Sequence, residues 1–311
     1  MRRTQRDVRI STGLRAASQC IVWIAARGGI FEKHGLNVSF PRLDVGGPEA
    51  AGGLVRGDWD FVVTGTVPIA EAVLQGGDAV ILLRNTVPND NIVILAKAAI
   101  TSLDQLAGKR IGILTDAYSG QAGVIARRAV ERAGASAAYV RLGTYRNIHA
   151  ALAAGDVDAG AFPVDFRFLQ REGWTCFEVP PMEVPSIFAT TRRMIARDRE
   201  LVLRVLRALV EAIHLFKTRA DIAVPMLQDF MQTDDRRAIE RLHEFYVPLF
   251  PQVPHPLLSG GMHDVHALFA ERYPSAARLE EADIADPSLI DEVEQSGFIR
   301  QLYGAAVQPA R

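Results

Sequence analysis

The sequence predicts an α/β fold made of two consecutive α/β units and a helical C-terminal part. Three observations support this prediction. Short apolar, strand-like segments alternate with helical segments up to about residue 179, which is typical of a largely parallel sheet covered by helices. One short turn sequence occurs once in each unit. Beyond residue 184 helical periodicity dominates.

The first unit begins with a short alternating segment and then shows strands and helices in turn. Its helix over residues 19–26 ends at Gly28 and Gly29, because glycine is favoured where a helix stops. The predicted strands are residues 8–11, 36–40, 61–63 and 80–83. The further predicted helices are residues 48–56 and 69–74.

The pattern changes near residues 92–96, and a capped helical turn at residues 101–106 opens the second unit. Its predicted strands are residues 111–114, 138–141 and 159–162, and its predicted helices are residues 122–133 and 148–154. In the C-terminal part, residues 200–216 place Val202, Leu209 and Phe216 on one face of an amphipathic helix. Further helical segments are predicted at residues 225–227 and 238–246.

The turn shared by the two units covers residues 54–60 and residues 152–158. In each, a helix ends at a glycine, and an Asp-x-Asp turn leads into a short buried strand. A common αβ turn and a duplicated unit explain this similarity equally well. Under either explanation the aspartates are structural, and we do not expect them to be catalytic.

Composition excludes several classes of protein. The 311 residues are 49% hydrophobic and 23% charged, which is the profile of a globular chain and not of a disordered, collagen-like or coiled-coil one. The net charge is −1, and no basic stripe occurs, so we expect no nucleic-acid partner. Cys20 and Cys176 stand too far apart in the sequence to indicate a metal pair or a disulfide framework.

No apolar run reaches the length that a membrane span requires, so we expect none. Residues 1–7 are followed by no apolar segment of the kind that an export signal needs. The sequence as it stands therefore predicts a cytoplasmic protein, or a periplasmic one if an export segment lies upstream of it.

Three sequence strings coincide in order and spacing with those of one family. They are Gly-Ile-Phe-Glu-Lys-His-Gly-Leu-Asn-Val at residues 29–38, Gly-Asp-Trp-Asp-Phe at residues 57–61 with Pro68, and Ser-Leu-Asp-Gln-Leu-Ala-Gly-Lys-Arg-Ile-Gly at residues 102–112. With these strings, residues 8–220 resemble the nitrate/sulfonate/taurine-type substrate-binding proteins of ABC transporters. That superfamily also includes the thiamine pyrimidine-precursor synthases.

The resemblance implies a two-lobed type II periplasmic-binding-protein fold, whose lobes close over a small ligand and are joined by two crossover strands. Lobe one would be residues 1–94 and 183–311, lobe two would be residues 95–182, and the crossovers would lie near residues 92–96 and 182–189. The resemblance also implies a monomer that needs no cofactor and, if exported, has an ABC permease as its partner. The same fold also supports enzymes.

In an open sheet of this kind, ligands lie beyond the carboxyl ends of the strands, at the N-termini of helices. In lobe one this rule selects three loops. Arg15 can bind a carboxylate or sulfonate with two hydrogen bonds, or it can simply be solvated, and Ser18 is a candidate N-cap. The remaining candidates of these loops are Gln19, Gly46, Gly47, Thr64 and Thr66.

In lobe two the same rule selects Tyr118 and Ser119, between a strand and a helix, where Tyr118 offers a flat ring. Phe162 and Asp165 follow a later strand and complete the predicted ligand-binding set. Arg15 and the helix starts suggest an anionic ligand. Tyr118, Phe162 and Trp23 suggest a heteroaromatic one.

Two hypotheses about function follow. The favoured one is a substrate-binding protein that captures a small organic ligand, anionic or heteroaromatic, for an ABC importer. The alternative is a cytosolic lyase, decarboxylase-like or desulfinase-like, acting on a small aromatic or heterocyclic acid with Cys20 as nucleophile. No acid–base constellation accompanies Cys20. His263 and His266 are one helical turn apart but lack further ligands, so we expect no metal site.

Overall fold

The computed structural model describes residues 5–87, 92–118, 120–168, 173–179, 182, 184–256 and 260–304. The chain divides into two compact units, unit 1 with Met1–Val87 and Glu183–Arg311, and unit 2 with Pro88–Met182. Each unit contains one five-stranded sheet with helices around it, so the fold is α/β, as the sequence predicts. That these units act as the two lobes of a binding protein stays a prediction.

The strands of the described residues are named in chain order. They are β1 (Arg6–Thr12), β2 (Leu36–Ser39), β3 (Phe61–Gly65), β4 (Ala79–Arg84), β5 (Ile92–Lys97), β6 (Arg110–Ile113), β7 (Ala138–Arg141), β8 (Ala159–Pro163), β9 (Trp174–Glu178) and β10 (Ser186–Thr191).

The α-helices are named in the same way. They are α1 (Ile21–Arg27), α2 (Ile30–Lys33), α3 (Gly47–Arg56), α4 (Thr66–Leu74), α5 (Gln121–Arg132), α6 (Tyr145–Ala154), α7 (Arg192–Arg197), α8 (Arg199–Thr218), α9 (Ala220–Met231), α10 (Arg236–Tyr246), α11 (Gly261–Phe269), α12 (Glu281–Ile284), α13 (Ser288–Gln295) and α14 (Phe298–Tyr303). Short 3-10 turns occupy Ala17–Gln19, Leu103–Leu106, Val164–Phe168 and Pro274–Arg278. No helix within the described ranges is both long and apolar enough to cross a bilayer.

The sheet of unit 1 has the strand order β2-β1-β3-β10-β4. β1 runs parallel to β2 and β3, with Ile10 opposite Phe61, whereas β10 runs antiparallel to both β3 and β4. Phe61 and Phe188 stack in the centre of this sheet with ring centroids 5.3 Å apart. The amphipathic helix α8 buries its apolar face in the same unit, where it packs against α1.

The sheet of unit 2 has the order β7-β6-β8-β5-β9. β6 runs parallel to β7 and β8, and β5 runs antiparallel to β8 and β9. β5 and β10, which lie at the segments expected to cross between the lobes, are the strands that reverse direction. Both strands come directly after the chain passes from one unit to the other, and apolar periodicity carries no information about strand direction.

The sequence analysis did not identify β9. Its side chains are only partly buried, without the alternation that marks a half-buried strand. β9 is held instead by pairing with β5, in which Leu95 lies opposite Cys176. The strand is therefore specified by its partner and not by its own pattern.

The shared turn has the same geometry in both units. Gly57 and Gly155 end α3 and α6 in the left-handed conformation, with φ of 85° and 87°. The Asp60 carboxylate accepts a hydrogen bond from the backbone N–H of Arg9 (2.9 Å), and the Asp158 carboxylate accepts one from that of Arg110 (3.0 Å). The turn thus fastens the end of α3 to β1 and the end of α6 to β6, which makes these two aspartates structural.

Candidate ligand-binding site

In unit 1, three loops meet at the edge of the sheet where β1, β2 and β3 end. Gly13 donates from its N–H to the carbonyl of Val63 (2.8 Å), and Gly46 donates to the carbonyl of Gly13 (2.8 Å). A Cβ on Gly47 would lie 2.6 Å from Cγ of Pro68. The loops over residues 12–15, 44–47 and 64–66 are therefore in direct contact, and glycine backbone forms much of their surface.

The two threonines of this edge are buried and play different parts. Thr64 packs against glycine, since a Cβ on Gly13 would lie 2.8 Å from the Thr64 hydroxyl. The hydroxyl of Thr66 donates to the carbonyl of Pro185 (2.9 Å), which also accepts from the Thr66 N–H (3.1 Å). Thr66 thus joins the start of α4 to the segment before β10.

Arg15 lies in the first of these loops and is held by the protein on two sides. Its backbone N–H donates to the Asp44 carboxylate (3.3 Å), and its guanidinium donates to the carbonyl of Phe230 (3.0 Å). The guanidinium also lies 5.9 Å from the centre of the Phe230 ring. Arg15 is therefore a partly buried, oriented side chain and not a freely solvated one.

The next three predicted residues are buried in unit 1. Ser18 is not an N-cap: it lies inside the 3-10 turn Ala17–Gln19, and α1 begins after Cys20 without a side-chain cap. The amide oxygen of Gln19 accepts a hydrogen bond from Leu14 (2.9 Å), which closes the loop. Cys20 is fully buried, so it does not offer an accessible nucleophile, and the lyase hypothesis is not favoured.

Sequence reasoning missed a row of buried polar residues at the same edge. The N–H of Asn85 donates to the carbonyl of Ser186 (2.8 Å), and the Ser186 hydroxyl donates to the carbonyl of Thr64 (3.4 Å). Thr86 is fully buried, and its hydroxyl has no hydrogen-bond partner in the described part of the chain. No sequence signal identified this row, because it depends on β10 lying between β3 and β4.

In unit 2, the predicted residues separate into exposed and buried ones. Tyr118 is 50% exposed, whereas Phe162 and Asp165 are completely buried. The Phe162 ring packs against Phe166 with centroids 4.9 Å apart, so it is a core residue here. Ser119 lies outside the described residues.

The loop of Tyr118 is braced by the charged and polar groups around it. The guanidinium of Arg127 lies 4.5 Å from the centre of the Tyr118 ring, and Asp116 accepts a hydrogen bond from the Tyr118 N–H (2.6 Å). Nearby on β7, burial raises the pKa of Tyr139 to about 12, with a further contribution from Glu131, so this phenol stays neutral.

Two helices begin at these edges without a side-chain N-cap. α4 in unit 1 and α5 in unit 2 have neither a side-chain N-cap nor an acidic residue in the first turn. By contrast, Thr144 caps α6 and Thr191 caps α7 through side-chain hydrogen bonds. Uncapped N-terminal amides carry partial positive charge and favour an anion.

The histidine pair does not form a metal site. Nε2 of His266 lies 2.8 Å from the carbonyl oxygen of Leu279, which engages the ring in a hydrogen bond within unit 1. Within the described ranges, no group of three His, Cys, Asp or Glu side chains is placed to hold a metal ion.

Comparison with known proteins is consistent with this architecture. The NMT1/THI5-like family model matches residues 18–220. A protein of Bordetella bronchiseptica RB50 superposes with a TM-score of 0.80 at 15% identity, covering 94% of this chain and 98% of that one. The alkanesulfonate-binding protein SsuA of Xanthomonas axonopodis pv. citri gives 0.69 at 20% identity, with 92% and 96% covered.

The periplasmic nitrate-binding protein NrtA of Synechocystis gives a TM-score of 0.71 at 12% identity, covering 94% of this chain and 89% of that one. Likeness at such low identity concerns the fold. No curated protein matches the sequence. The family model, in contrast, covers more than half of the chain. The chain therefore belongs to the NMT1/THI5-like family and has the type II periplasmic-binding-protein fold.

Proposed function

We propose that this protein is a substrate-binding protein that captures a small organic anion and delivers it to an ABC permease. The observation that carries the proposal is that α4 in unit 1 and α5 in unit 2 begin with neither a side-chain N-cap nor an acidic residue in the first turn. Each helix follows a central strand of its sheet, where ligands of open α/β sheets bind. Their first turns contain no carboxylate to compete with a bound anion.

Within unit 1, the loops beside α4 would supply further contacts. Arg15, oriented by its hydrogen bond to the carbonyl of Phe230, would add a positive charge. Thr64 and the buried polar residues Ser186, Asn85 and Thr86 would provide polar groups at the end of β3. We propose no covalent step, since Cys20 is buried and no acid–base pair accompanies these loops.

The structural neighbours support an anionic ligand. Two of them are named for binding alkanesulfonates and nitrate, both of which are anions. The nitrate-binding neighbour is described as periplasmic, and we propose the same compartment and a permease partner for this protein.

Calorimetric titration of the purified chain tests the proposal. We expect butanesulfonate to bind and to raise the melting temperature by several degrees at about 100 times Kd, because a ligand that binds only the folded state stabilises it. Butanesulfonamide, which has nearly the same shape without the charge, serves as the matched control and should bind far more weakly. Butyrate and nitrate extend the series to other head groups.

Absence of binding by every anion at millimolar concentration would overturn the proposal. For the transport step, uptake of the bound anion by the native host is compared with uptake by a strain that lacks the gene. Equal uptake by both strains would contradict delivery to a permease and would leave a binding protein without a transport role.

A further inference from the structure

Tyr118 has an unusual environment for a large ring. Tyr118 is 50% exposed, and no other large hydrophobic side chain of the described residues is classed as exposed. An exposed aromatic ring gives up the free energy that its burial would contribute.

The backbone that carries Tyr118 lies directly on α5. A Cβ on Gly123 would come within 2.5 Å of the carbonyl oxygen of Asp116, and a Cβ on Gly120 would come within 2.2 Å of Oγ1 of Thr115. Gly120 is the N-cap residue and Gly123 lies in the first turn of the helix, and the loop packs closely against both. The loop is therefore fixed in position by close packing.

Arg127 completes this support one turn further along α5. It is 5% exposed, its Nε donates to the carbonyl of Ala117 (3.2 Å), and its Nη1 donates to Glu131 (2.6 Å). The guanidinium centre lies 4.5 Å from the centre of the Tyr118 ring. A nearly buried cation thus backs a ring that is half open to solvent, in a cation–π contact.

This arrangement fixes the orientation of the ring without burying it. A cation near one face withdraws electron density from the ring, so the open part favours an electron-rich or anionic planar group. The alternative explanation is that Tyr118 only shields the charge of Arg127. Under that explanation the identity of the ring would not influence which ligand binds.

We infer that Tyr118 is a stacking platform that selects, among small organic anions, those with a planar aromatic or heteroaromatic ring, and that Arg127 is its positioning residue. The inference rests on the proposed function and deepens it. The ligand class is then an aromatic acid whose ring lies on Tyr118.

The test compares two acids that differ only in ring planarity, benzenesulfonate and cyclohexanesulfonate, by calorimetric titration. Benzoate and cyclohexanecarboxylate form a second pair with another head group. We expect the native protein to bind the aromatic member of a pair about 3- to 10-fold more tightly, as expected for one stacked pair. Tyr118→Phe should keep this ratio, whereas Tyr118→Leu should reduce it to about 1.

Two further variants separate positioning from folding. Arg127→Met should lower the aromatic-to-alicyclic ratio by about half or more while both acids still bind. Tyr139→Phe, a change to a tyrosine of the neighbouring strand β7, should leave the ratio unchanged. Circular dichroism confirms that each variant is folded before it is titrated.

The outcomes are distinguishable. Equal binding of both members of a pair by the native protein, or an unchanged ratio in Tyr118→Leu, overturns the inference and leaves the proposed function intact. Binding of none of the four acids, nor of the alkyl anions, overturns the proposed function and this inference with it.

Discussion

The two units are built on one plan, although their sequences share little beyond a turn. Each sheet contains three adjacent parallel strands with the second at the edge, followed by the first and third (β2-β1-β3 and β7-β6-β8), then a reversed strand (β10 or β5) and a further strand at the other edge. In each, the helix before the third strand ends at a left-handed glycine. An arginine of the first strand then donates to the carbonyl of that glycine, Arg9 to Gly57 and Arg110 to Gly155.

The units differ at the loop after the first strand. In unit 1 this loop is tied inward, since Arg15 donates to the Phe230 carbonyl and Gln19 accepts from Leu14. In unit 2 the corresponding loop presents Tyr118 to solvent on a rigid support. The repeated turn therefore holds the scaffold, and the loops at the opposite end of the strands carry the differences that can determine ligand choice.

The largest expected effect is a difference in stability between variants of Phe162 and Tyr118, the two aromatic residues that the sequence analysis proposed as ligand-binding in unit 2. Phe162→Ala should lower the free energy of unfolding by about 3–5 kcal/mol, because it leaves a cavity in the core. Tyr118→Ala should cost no more than about 1 kcal/mol, the size of its cation–π contact with Arg127. Urea denaturation measures the free energy of unfolding of both variants, and hydrogen exchange of the β8 amides reports the local effect at Phe162. Equal costs would contradict the assignment of one ring to the core and the other to the surface.

A smaller effect tests the close contact of the unit 1 loops. Gly47→Ala should destabilise the protein by about 1–3 kcal/mol, since its Cβ would meet the rigid ring of Pro68 at 2.6 Å. The matched control is Gly52→Ala on the same helix α3, where the Cβ would approach only the mobile end of Arg56 (3.1 Å). That control should stabilise by about 0.5–1 kcal/mol, because alanine favours the helix. Thermal unfolding measures the stability of the two variants. An unchanged stability of Gly47→Ala would show that the loops are loosely packed.

The smallest effect concerns the shared turn and depends on pH. A hydrogen bond from the Arg110 amide, opposed by burial and aided by Lys97, holds the pKa of Asp158 below its usual value of 3.8. The ionised carboxylate therefore stabilises the folded state above pH 3.8, and this contribution is lost as the pH falls through the lowered pKa. Asp158→Asn should cost about 1 kcal/mol at pH 7, because a charged acceptor becomes a neutral one.

The cost of Asp158→Asn should stay constant from pH 7 to about pH 4 and shrink toward zero below that, as measured by urea denaturation between about pH 7 and about pH 2. Asp156→Asn, at the exposed first aspartate of the same turn, is the control and should change stability by no more than about 0.5 kcal/mol at any pH. A cost for Asp158→Asn that is independent of pH would show that the charge of this carboxylate does not contribute.

Many of the secondary-structure elements could be predicted from the local pattern of apolar and turn-forming residues. Strand β7 lies at the predicted residues, and β1, α3 and β3 lie within a few residues of theirs. Such elements combine apolar periodicity with glycine or capping signals, both of which are local. The direction of β5 and β10 and the existence of β9 were not predictable in this way, since each depends on a partner distant in the sequence.

The sequence predicted which loops form the candidate site, but not which of their side chains are exposed and which are buried. Position after a strand selected both Tyr118 and Phe162, yet only Tyr118 is exposed. The same rule did not find Ser186 or Asn85, which reach the edge through a strand that runs the other way.

The sequence by itself determined the α/β class, the two-unit plan, the family and the loops that follow the strands, because periodicity, turn residues and short strings are properties of neighbouring positions. Only the tertiary structure decided that Arg15 is bound to Phe230, that Phe162 belongs to the core and that Arg127 supports an exposed Tyr118. The physical reason is that burial and hydrogen-bond partners are set by residues that the fold brings together from distant parts of the chain.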